Sequence, residues 1–152
     1  MELAVSTQEV QQWSWPMNEN QTNTDYGDPI SRPFWEAATE HRLLIQKCQE
    51  CSVHQFYPRP FCLQCESDRV EWVEVSGTGT IYSMTTVARQ LLPDFEVPYV
   101  VAIVELDEGP KLLTNVLGDS CAIGDRVKVG WRERLEAPPV PVFSKESDIG
   151  KT

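Results

Sequence analysis

The spacing of apolar residues along this chain is mostly that of β-strands, and one short segment has helical spacing. That segment, residues 34–41, follows Pro33, a residue that suits the first turn of a helix. Its side chains Phe34, Ala37, Ala38 and His41 share one helix face. Elsewhere, runs rich in β-branched and aromatic residues predict strands. These strands cover residues 43–47, 70–75, 80–87, 99–106, 111–117 and 126–131.

The last of these strands has strict alternation, which turns Val127, Val129 and Trp131 toward the inside. We interpret it as the final strand of the fold. Several prolines between residues 138 and 141 then favour an extended, non-helical tail. About five short strands with one N-terminal helix and frequent turn residues predict a mainly β protein. A five-stranded OB-fold barrel is the commonest small barrel that fits this length.

Composition changes near residue 30, and this change helps to place the domain boundaries. The first thirty residues are rich in Gln, Asn, Thr and Glu without a clear period, so we expect weak order there. They include Trp13 and Trp15, for which docking on a partner and contact with the chain's own barrel both stay open. Residues 1–30 form a weakly ordered acidic arm. Residues 31–74 contain the helix and four closely spaced cysteines, Cys48, Cys51, Cys62 and Cys65, a spacing typical of a zinc ribbon. Residues 75–143 form the OB-fold barrel, and residues 144–152 form a C-terminal tail.

The chain is acidic, with a net charge of -10 over 152 residues. Five of the acids lie in the first thirty residues, which contain no Lys or Arg. Because nucleic-acid binders normally carry a basic stripe, we do not expect DNA or RNA as a partner.

No apolar run approaches the roughly 20 residues of a membrane span, and the N-terminus lacks the features of a secretory signal. We therefore expect a cytoplasmic protein without a membrane partner.

Two Cys-x-x-Cys pairs, Cys48 with Cys51 and Cys62 with Cys65, are separated by ten residues. Each pair can present two thiolates to one metal ion, and together they complete a tetrahedral four-sulfur shell that suits Zn²⁺. Such a shell has no open position for water, so it predicts a structural rather than a catalytic zinc. Disulfides are the alternative, but a cytoplasmic chain keeps its thiols reduced.

No catalytic constellation is visible in the sequence. The chain has two histidines and lacks a Gly-x-Ser-x-Gly elbow, a phosphate loop, a dinucleotide fingerprint and a His-Glu-x-x-His motif. The fifth cysteine, Cys121, has no neighbouring base, so we interpret it as a buried or idle thiol. We therefore assign no catalytic residue to the chain.

Several motifs in a fixed order resemble one family. They are Pro33–Ala37, the two cysteine pairs, Gly77–Ser83, Pro98–Ala102 and Leu112–Asn115. The resemblance is to the DUF35 family, in which a rubredoxin-like zinc ribbon is joined to an OB-fold, and it covers about residues 32 to 143. Members of that family accompany thiolase-superfamily enzymes, including acyl-CoA synthases and thiolase-like retro-aldolases, and some are fused to hydratase domains.

The resemblance implies an accessory, non-catalytic subunit of a heteromeric thiolase or thiolase-like enzyme. The partner would supply the chemistry of thiolytic or retro-aldol C–C cleavage, while this chain would stabilise it and help to bind the CoA thioester. It implies no individual CoA contacts. From chemistry alone, cations that can meet CoA phosphates are Arg89, Lys111 and Arg132, with Arg126, Lys128 and Arg134 nearby in sequence.

The predicted partner interface is aromatic. We assign it to Phe34, Trp35, Phe56 and Tyr57, although packing on the chain's own barrel also explains these residues. The basic residues likewise have an alternative interpretation as ordinary exposed charges. Two other functions stay open: an OB-fold binder of single-stranded nucleic acid, and an electron carrier with iron in the four-thiolate site.

Overall fold

A computed structural model of the chain describes residues 27–90, 96–118 and 120–148. Most of the predicted arm, with Trp13 and Trp15, lies outside these residues. The described elements are α1 (Arg32–Thr39), β1 (Leu44–Cys48), β2 (His54–Gln55), β3 (Val70–Glu74), β4 (Thr78–Val87), β5 (Tyr99–Leu106), β6 (Lys111–Leu117), β7 (Arg126–Arg134), β8 (Ala137–Lys145) and a 3-10 turn (Glu146–Asp148). The predicted mainly β fold is confirmed.

Helix α1 begins with a proline in its first turn and buries Phe34, Ala37 and Ala38 against β8 and β1. The turn before it is closed by Asp28, whose Oδ1 accepts hydrogen bonds from the backbone N–H groups of Ile30, at 2.8 Å, and Ser31, at 3.1 Å. This turn fixes the position of the backbone at the start of α1.

The ribbon is a three-stranded antiparallel sheet in the order β2-β1-β3. Its central strand β1 pairs Ile45 with Val73 and ends at Cys48, which pairs with Val70. Ile45 is fully buried and joins the main hydrophobic core. The sheet therefore anchors the cysteine-bearing end of β1 to the barrel.

The other five strands form a closed barrel in the order β4-β5-β6-β8-β7. Its interior contains fully buried branched and aromatic side chains, and these are Ile81, Val104, Leu112, Val127 and Phe143. Closure between β4 and β7 involves three residue pairs, centred on Gly79 and Val127. A Cβ at Gly79 would lie 2.4 Å from the carbonyl oxygen of Glu105, so this close strand approach requires glycine.

The interpretation of β7 as the final strand was wrong, because residues 137–145 form a fifth barrel strand rather than a tail. Prolines in this strand lack N–H donors, which made it look like irregular chain. The strand is tolerated because its antiparallel pairing with β7 carries most of the register, while its parallel pairing with β6 involves two residue pairs. Beside that short ladder, the Thr114 hydroxyl donates a hydrogen bond to the carbonyl oxygen of Pro141, at 2.9 Å.

In the described part of the chain, no helix is both long and apolar enough to cross a membrane.

Candidate metal centre and the adjoining cleft

The four predicted metal ligands meet at one point. The Sγ atoms of Cys48, Cys51, Cys62 and Cys65 all lie within 4.8 Å of one another. Among the residues that the structure describes, this is the one group of three or more His, Cys, Asp or Glu side chains with such geometry. None of the five described cysteines forms a disulfide.

The two cysteine turns have the same backbone design. In each, the residue after the second cysteine donates its N–H to the carbonyl of the first cysteine, at 3.0 Å: Ser52 to Cys48, and Glu66 to Cys62. Ser52 and Glu66 both adopt a φ of 61°, a left-handed conformation that reverses the chain in one step. The first cysteine of each turn is fully buried. The backbone therefore aims four sulfurs inward from two equivalent turns.

The geometry fits a tetrahedral metal ion. A Zn–S bond of about 2.3 Å gives sulfur–sulfur edges of about 3.8 Å in a regular tetrahedron. The Sγ atoms of Cys48 and Cys65 are 3.6 Å apart, as are those of Cys51 and Cys62. The donor set is four thiols with no fifth group, which matches the closed shell of a structural zinc site.

The backbone also favours the metal-binding form of one thiol. The N–H groups of Cys65 and Gln64 point at Cys62 and lower the pKa of its thiol to about 7, and the Gln64 N–H donates to the sulfur at 3.3 Å. At Cys65, a hydrogen bond from the Ser67 backbone lowers the pKa, but burial and the three other thiols outweigh it and raise the pKa to about 12. Four crowded thiols cannot all ionise together without a cation.

Two buried glutamines, which the sequence analysis did not single out, hold the loop between the cysteine pairs. The side chain of Gln46 donates to the carbonyl of Arg59, at 2.9 Å, and accepts from the Arg59 N–H, at 2.8 Å. Gln55 donates to the carbonyl of Phe61, at 3.0 Å, and accepts from the Leu63 N–H, at 3.1 Å. The two amides are also joined to each other, at 3.0 Å. Gln46 lies between Leu44 and Cys48 on one face of β1, and this polar residue on an otherwise apolar strand face was the available signal.

The four predicted interface residues all line one cleft of about 1340 Å³ between the ribbon and the barrel. The rings of Phe34 and Trp35 meet edge to face with centroids 4.9 Å apart, and Phe56 contacts both Phe34 and Tyr57. Phe34 is buried in the core, whereas Tyr57 is 54% exposed, and an interface role stays a prediction for all four residues. The structure therefore brings these residues together, with Tyr57 as the outermost ring.

The three candidate CoA-binding cations are not brought together in the same way. Arg132 lines the cleft. Lys111 forms an ion pair with Glu105, at 3.0 Å, and lies over the ring of Tyr82. Arg89 is exposed beyond the end of β4. Only Arg132 of the three lies beside the aromatic residues, and a role in CoA binding stays a prediction for all of them.

Four cysteines in a ribbon, followed by a closed five-stranded barrel, define a zinc-ribbon protein of the OB-fold class. Two family models match in the same order: "ChsH2, rubredoxin-like zinc ribbon domain" over residues 35–71, and "ChsH2, C-terminal OB-fold domain" over residues 72–132. The chain belongs to the DUF35 family. The resemblance seen in the sequence motifs is therefore confirmed.

Three relatives illustrate the range of this similarity. A "DUF35 domain-containing scaffold protein" of Methanothermobacter thermautotrophicus is 33% identical over 63% of this chain and 76% of its own length. A "Probable enoyl-CoA hydratase alpha subunit" of Thermomonospora curvata is 43% identical over 72% of this chain but 36% of its own length, so this chain spans about a third of that relative. The structure titled "Ltp2-ChsH2(DUF35) aldolase" has a TM-score of 0.72 and 38% identity, and covers 80% of this chain and 98% of its own.

Proposed function

We propose that this chain is a non-catalytic, zinc-containing subunit of a heteromeric thiolase or thiolase-like enzyme that acts on acyl-CoA. Its partner belongs to the thiolase superfamily and carries out thiolytic or retro-aldol C–C cleavage. The chain stabilises that partner and helps to bind the CoA thioester. The observation that carries the proposal is the match to almost the whole of a DUF35 chain whose structure is titled as an aldolase.

The metal has a structural role in this proposal. Cys48 and Cys51 lie at the end of β1, and Cys62 and Cys65 lie just before β3, so one zinc ion ties together both strands and the loop between them. A small ribbon buries too little surface to fold unaided, which couples metal binding to folding. With four sulfur ligands the ion has no open position at which to activate water or substrate.

The cleft supplies the surface for a partner. Three of its apolar side chains are well exposed: Tyr57 at 54%, Leu113 at 59% and Leu135 at 94%. They come from the ribbon loop, from β6 and from the tip of the β7–β8 hairpin, so both modules contribute to one surface. Exposed apolar side chains gathered around one cleft are typical of a protein interaction site.

Cations at the edge of this surface support a contribution to CoA binding. Arg132 and Arg134 lie on β7 and line the same cleft as the four aromatic residues, and the Arg134 guanidinium is 5.5 Å from the Trp35 ring centroid. Guanidinium groups bind phosphate oxygens through paired hydrogen bonds. A CoA thioester that is held mainly by the partner can thus place its phosphates against β7.

A matched pair of leucines on β6 tests the interface. Leu113 lines the cleft and Leu117 does not, yet both are leucines on the same strand with similar exposure, 59% and 51%. Affinity capture from the native host with the wild-type chain, followed by mass spectrometry, should recover a thiolase-superfamily protein. Leu113→Ser should weaken that capture by roughly tenfold, as for a residue near an interface centre, while Leu117→Ser should not.

The proposal also separates this chain from the reaction chemistry. The purified complex should cleave or form C–C bonds in acyl-CoA substrates, and this chain alone should give no turnover. Equal capture by both leucine variants would contradict the assigned interface, and turnover by the isolated chain would contradict the non-catalytic role.

The same four-thiolate shell also accepts iron, so an electron carrier is a second candidate. Metal analysis of protein from cells with normal zinc distinguishes the two. A colourless preparation with one zinc per chain supports the structural role, and a red preparation containing iron supports electron transfer.

A further inference from the structure

The four cysteines of the metal centre differ in their exposure to solvent. Cys48 and Cys62 are fully buried, and Cys51 is half-buried. Cys65 is exposed, and so are its two neighbours along the chain. A small oxidant in the solvent therefore meets Cys65 before it meets the other three cysteines.

Metal binding gives this exposed sulfur its reactive form. Zinc binds cysteines as thiolates, and the thiolate is the form of cysteine that attacks an oxidant. Cys121, outside the cluster, is a thiol whose Sγ donates to the carbonyl oxygen of Gly118 at 3.6 Å. Oxidation of cysteines by peroxides follows thiolate character and exposure, and Cys65 of the zinc-loaded chain combines the two.

A second sulfur lies close enough to complete the oxidation. The Sγ atom of Cys48 is 3.6 Å from that of Cys65, on the other cysteine turn. A disulfide bond is about 2.05 Å long, so the two sulfurs need to approach each other by about 1.5 Å. Their disulfide would remove two of the four ligands. The remaining pair, Cys51 and Cys62, cannot complete a four-sulfur shell, so the ion leaves.

We propose that Cys65 is a site of oxidation by peroxides, and that its reaction releases the zinc ion. The Cys65 thiolate attacks one peroxide oxygen, which forms an S–O bond and breaks the O–O bond, and the other oxygen leaves as hydroxide or alkoxide. The Cys48 thiolate then attacks the sulfur of this sulfenic acid, which forms the disulfide and expels hydroxide. Two thiolates thus lose two electrons in total, and the peroxide gains them. The site goes beyond the proposed function, since it concerns the chain alone and requires no thiolase-like partner.

The loop between the two cysteine pairs carries the effect to the cleft. This loop contains Phe56 and Tyr57, which line the cleft. It is held by the Arg59 N–H, which donates to the Gln46 side chain at 2.8 Å. Because the ion binds the cysteines at both ends of the loop, its release removes the support of this hydrogen bond and of both rings.

Mass spectrometry of the full, zinc-loaded chain locates the oxidation. The chain is treated with substoichiometric hydrogen peroxide and digested without reduction, while a colorimetric chelator measures the released zinc. Each released ion should be matched by one disulfide between Cys48 and Cys65, and a thiol reductant with added zinc should restore the site. The Arg59 amide should lose its protection from hydrogen exchange as zinc leaves, while the amides of β5 keep theirs.

Two variants of single ligands form a matched pair. Cys65→His and Cys51→His each leave three sulfurs and one imidazole nitrogen, a donor set that also holds structural zinc. In peroxide, Cys65→His should release zinc roughly tenfold more slowly than the wild type, because the exposed thiolate is gone. Cys51→His should release it at about the wild-type rate, and so should Cys121→Ser.

Three results would overturn the proposal. They are zinc release that leaves Cys65 reduced, equal release rates for Cys65→His and Cys51→His, and retention of zinc by the wild type in excess peroxide. The peptide map of the wild type keeps the test decisive if a histidine variant fails to bind zinc, because a first disulfide that excludes Cys65 contradicts the proposal without any variant.

Discussion

At the scale of single residues, the cysteine turns show how the backbone prepares a metal site. The N–H groups of Gln64 and Cys65 lower the pKa of the Cys62 thiol to about 7, which favours the thiolate that binds metal. The regular spacing of two Cys-x-x-Cys pairs made the cluster of four cysteines predictable, because two cysteines at this spacing can lie in one turn. The buried amides of Gln46 and Gln55 were not predictable in this way, since glutamine is usually a surface residue.

Loss of one ligand should remove both metal and stability. Cys62→Ser should reduce the zinc-to-protein ratio from one toward zero and destabilise the fold by about 3 kcal/mol or more, because binding energy here is folding energy. Metal analysis and thermal unfolding measure the two effects. Cys121→Ser, which changes a thiol outside the cluster, is the control and should retain full zinc. Retention of zinc by Cys62→Ser would show that the four sulfurs do not act together.

The glutamine network should carry measurable stability. Gln46 is 3% exposed, and its replacement by Leu leaves the Arg59 N–H and C=O groups without this partner, so Gln46→Leu should cost about 2 kcal/mol in the free energy of unfolding. Gln49→Leu, at an exposed position of the same ribbon, should change it by no more than about 0.5 kcal/mol. Urea unfolding of the zinc-loaded proteins compares them. Equal costs for both variants would mean that the network does not hold the loop.

At the scale of elements, strands with clear alternation or long apolar runs were predictable, and β5 and β6 have the predicted ends. Strand β8 was not predictable, because it contains three prolines. Proline has no N–H group to donate to a neighbouring strand, so a run rich in proline does not look like a strand. Its inclusion depends on long-range pairing with β7 and on the Thr114 hydroxyl, neither of which a local pattern contains. The two-residue strand β2 is likewise too short to give a period.

An ion pair secures the barrel where β4 meets β7 over only three residue pairs. The Arg126 guanidinium donates to both oxygens of Asp107, at 2.6 and 2.8 Å, and the Thr78 hydroxyl donates to the same carboxylate. The Arg126 guanidinium, and to a smaller extent the Thr78 hydroxyl, hold the pKa of the Asp107 carboxyl well below its usual range. The contact therefore joins the end of β5 to the start of β7.

This pair should make stability depend on pH in a defined direction. A carboxylate with a lowered folded-state pKa contributes stability above its unfolded pKa of about 4, and this is lost as the pH falls below that value. Asp107→Asn should therefore lower stability by about 1 kcal/mol at pH 7, a value limited by solvent screening, and by less at pH 3. Urea unfolding at both pH values measures this. Asp68→Asn, at an exposed ribbon carboxylate, should show no such change; a pH-independent effect of Asp107→Asn would contradict the ion-pair explanation.

At the scale of the whole molecule, the order of helix, ribbon and barrel was predictable because each has its own sequence pattern and the family motifs occur in a fixed order. The cleft was predictable only in part. The aromatic residues were assigned to one interface, but Leu113 and Leu135 were not, because they join it only when β6 and the β7–β8 hairpin are placed beside the ribbon. Of the three candidate CoA cations, Arg132 alone lies there.

Native mass spectrometry of this chain, co-purified with the captured thiolase-superfamily protein, tests the central claim most directly. A helper subunit with a closed metal site should appear in one hetero-oligomer that contains both proteins, with one zinc ion for each copy of this chain. A chain that carries no metal in its folded form, or that remains alone when the thiolase-like protein is present in excess, would contradict the account.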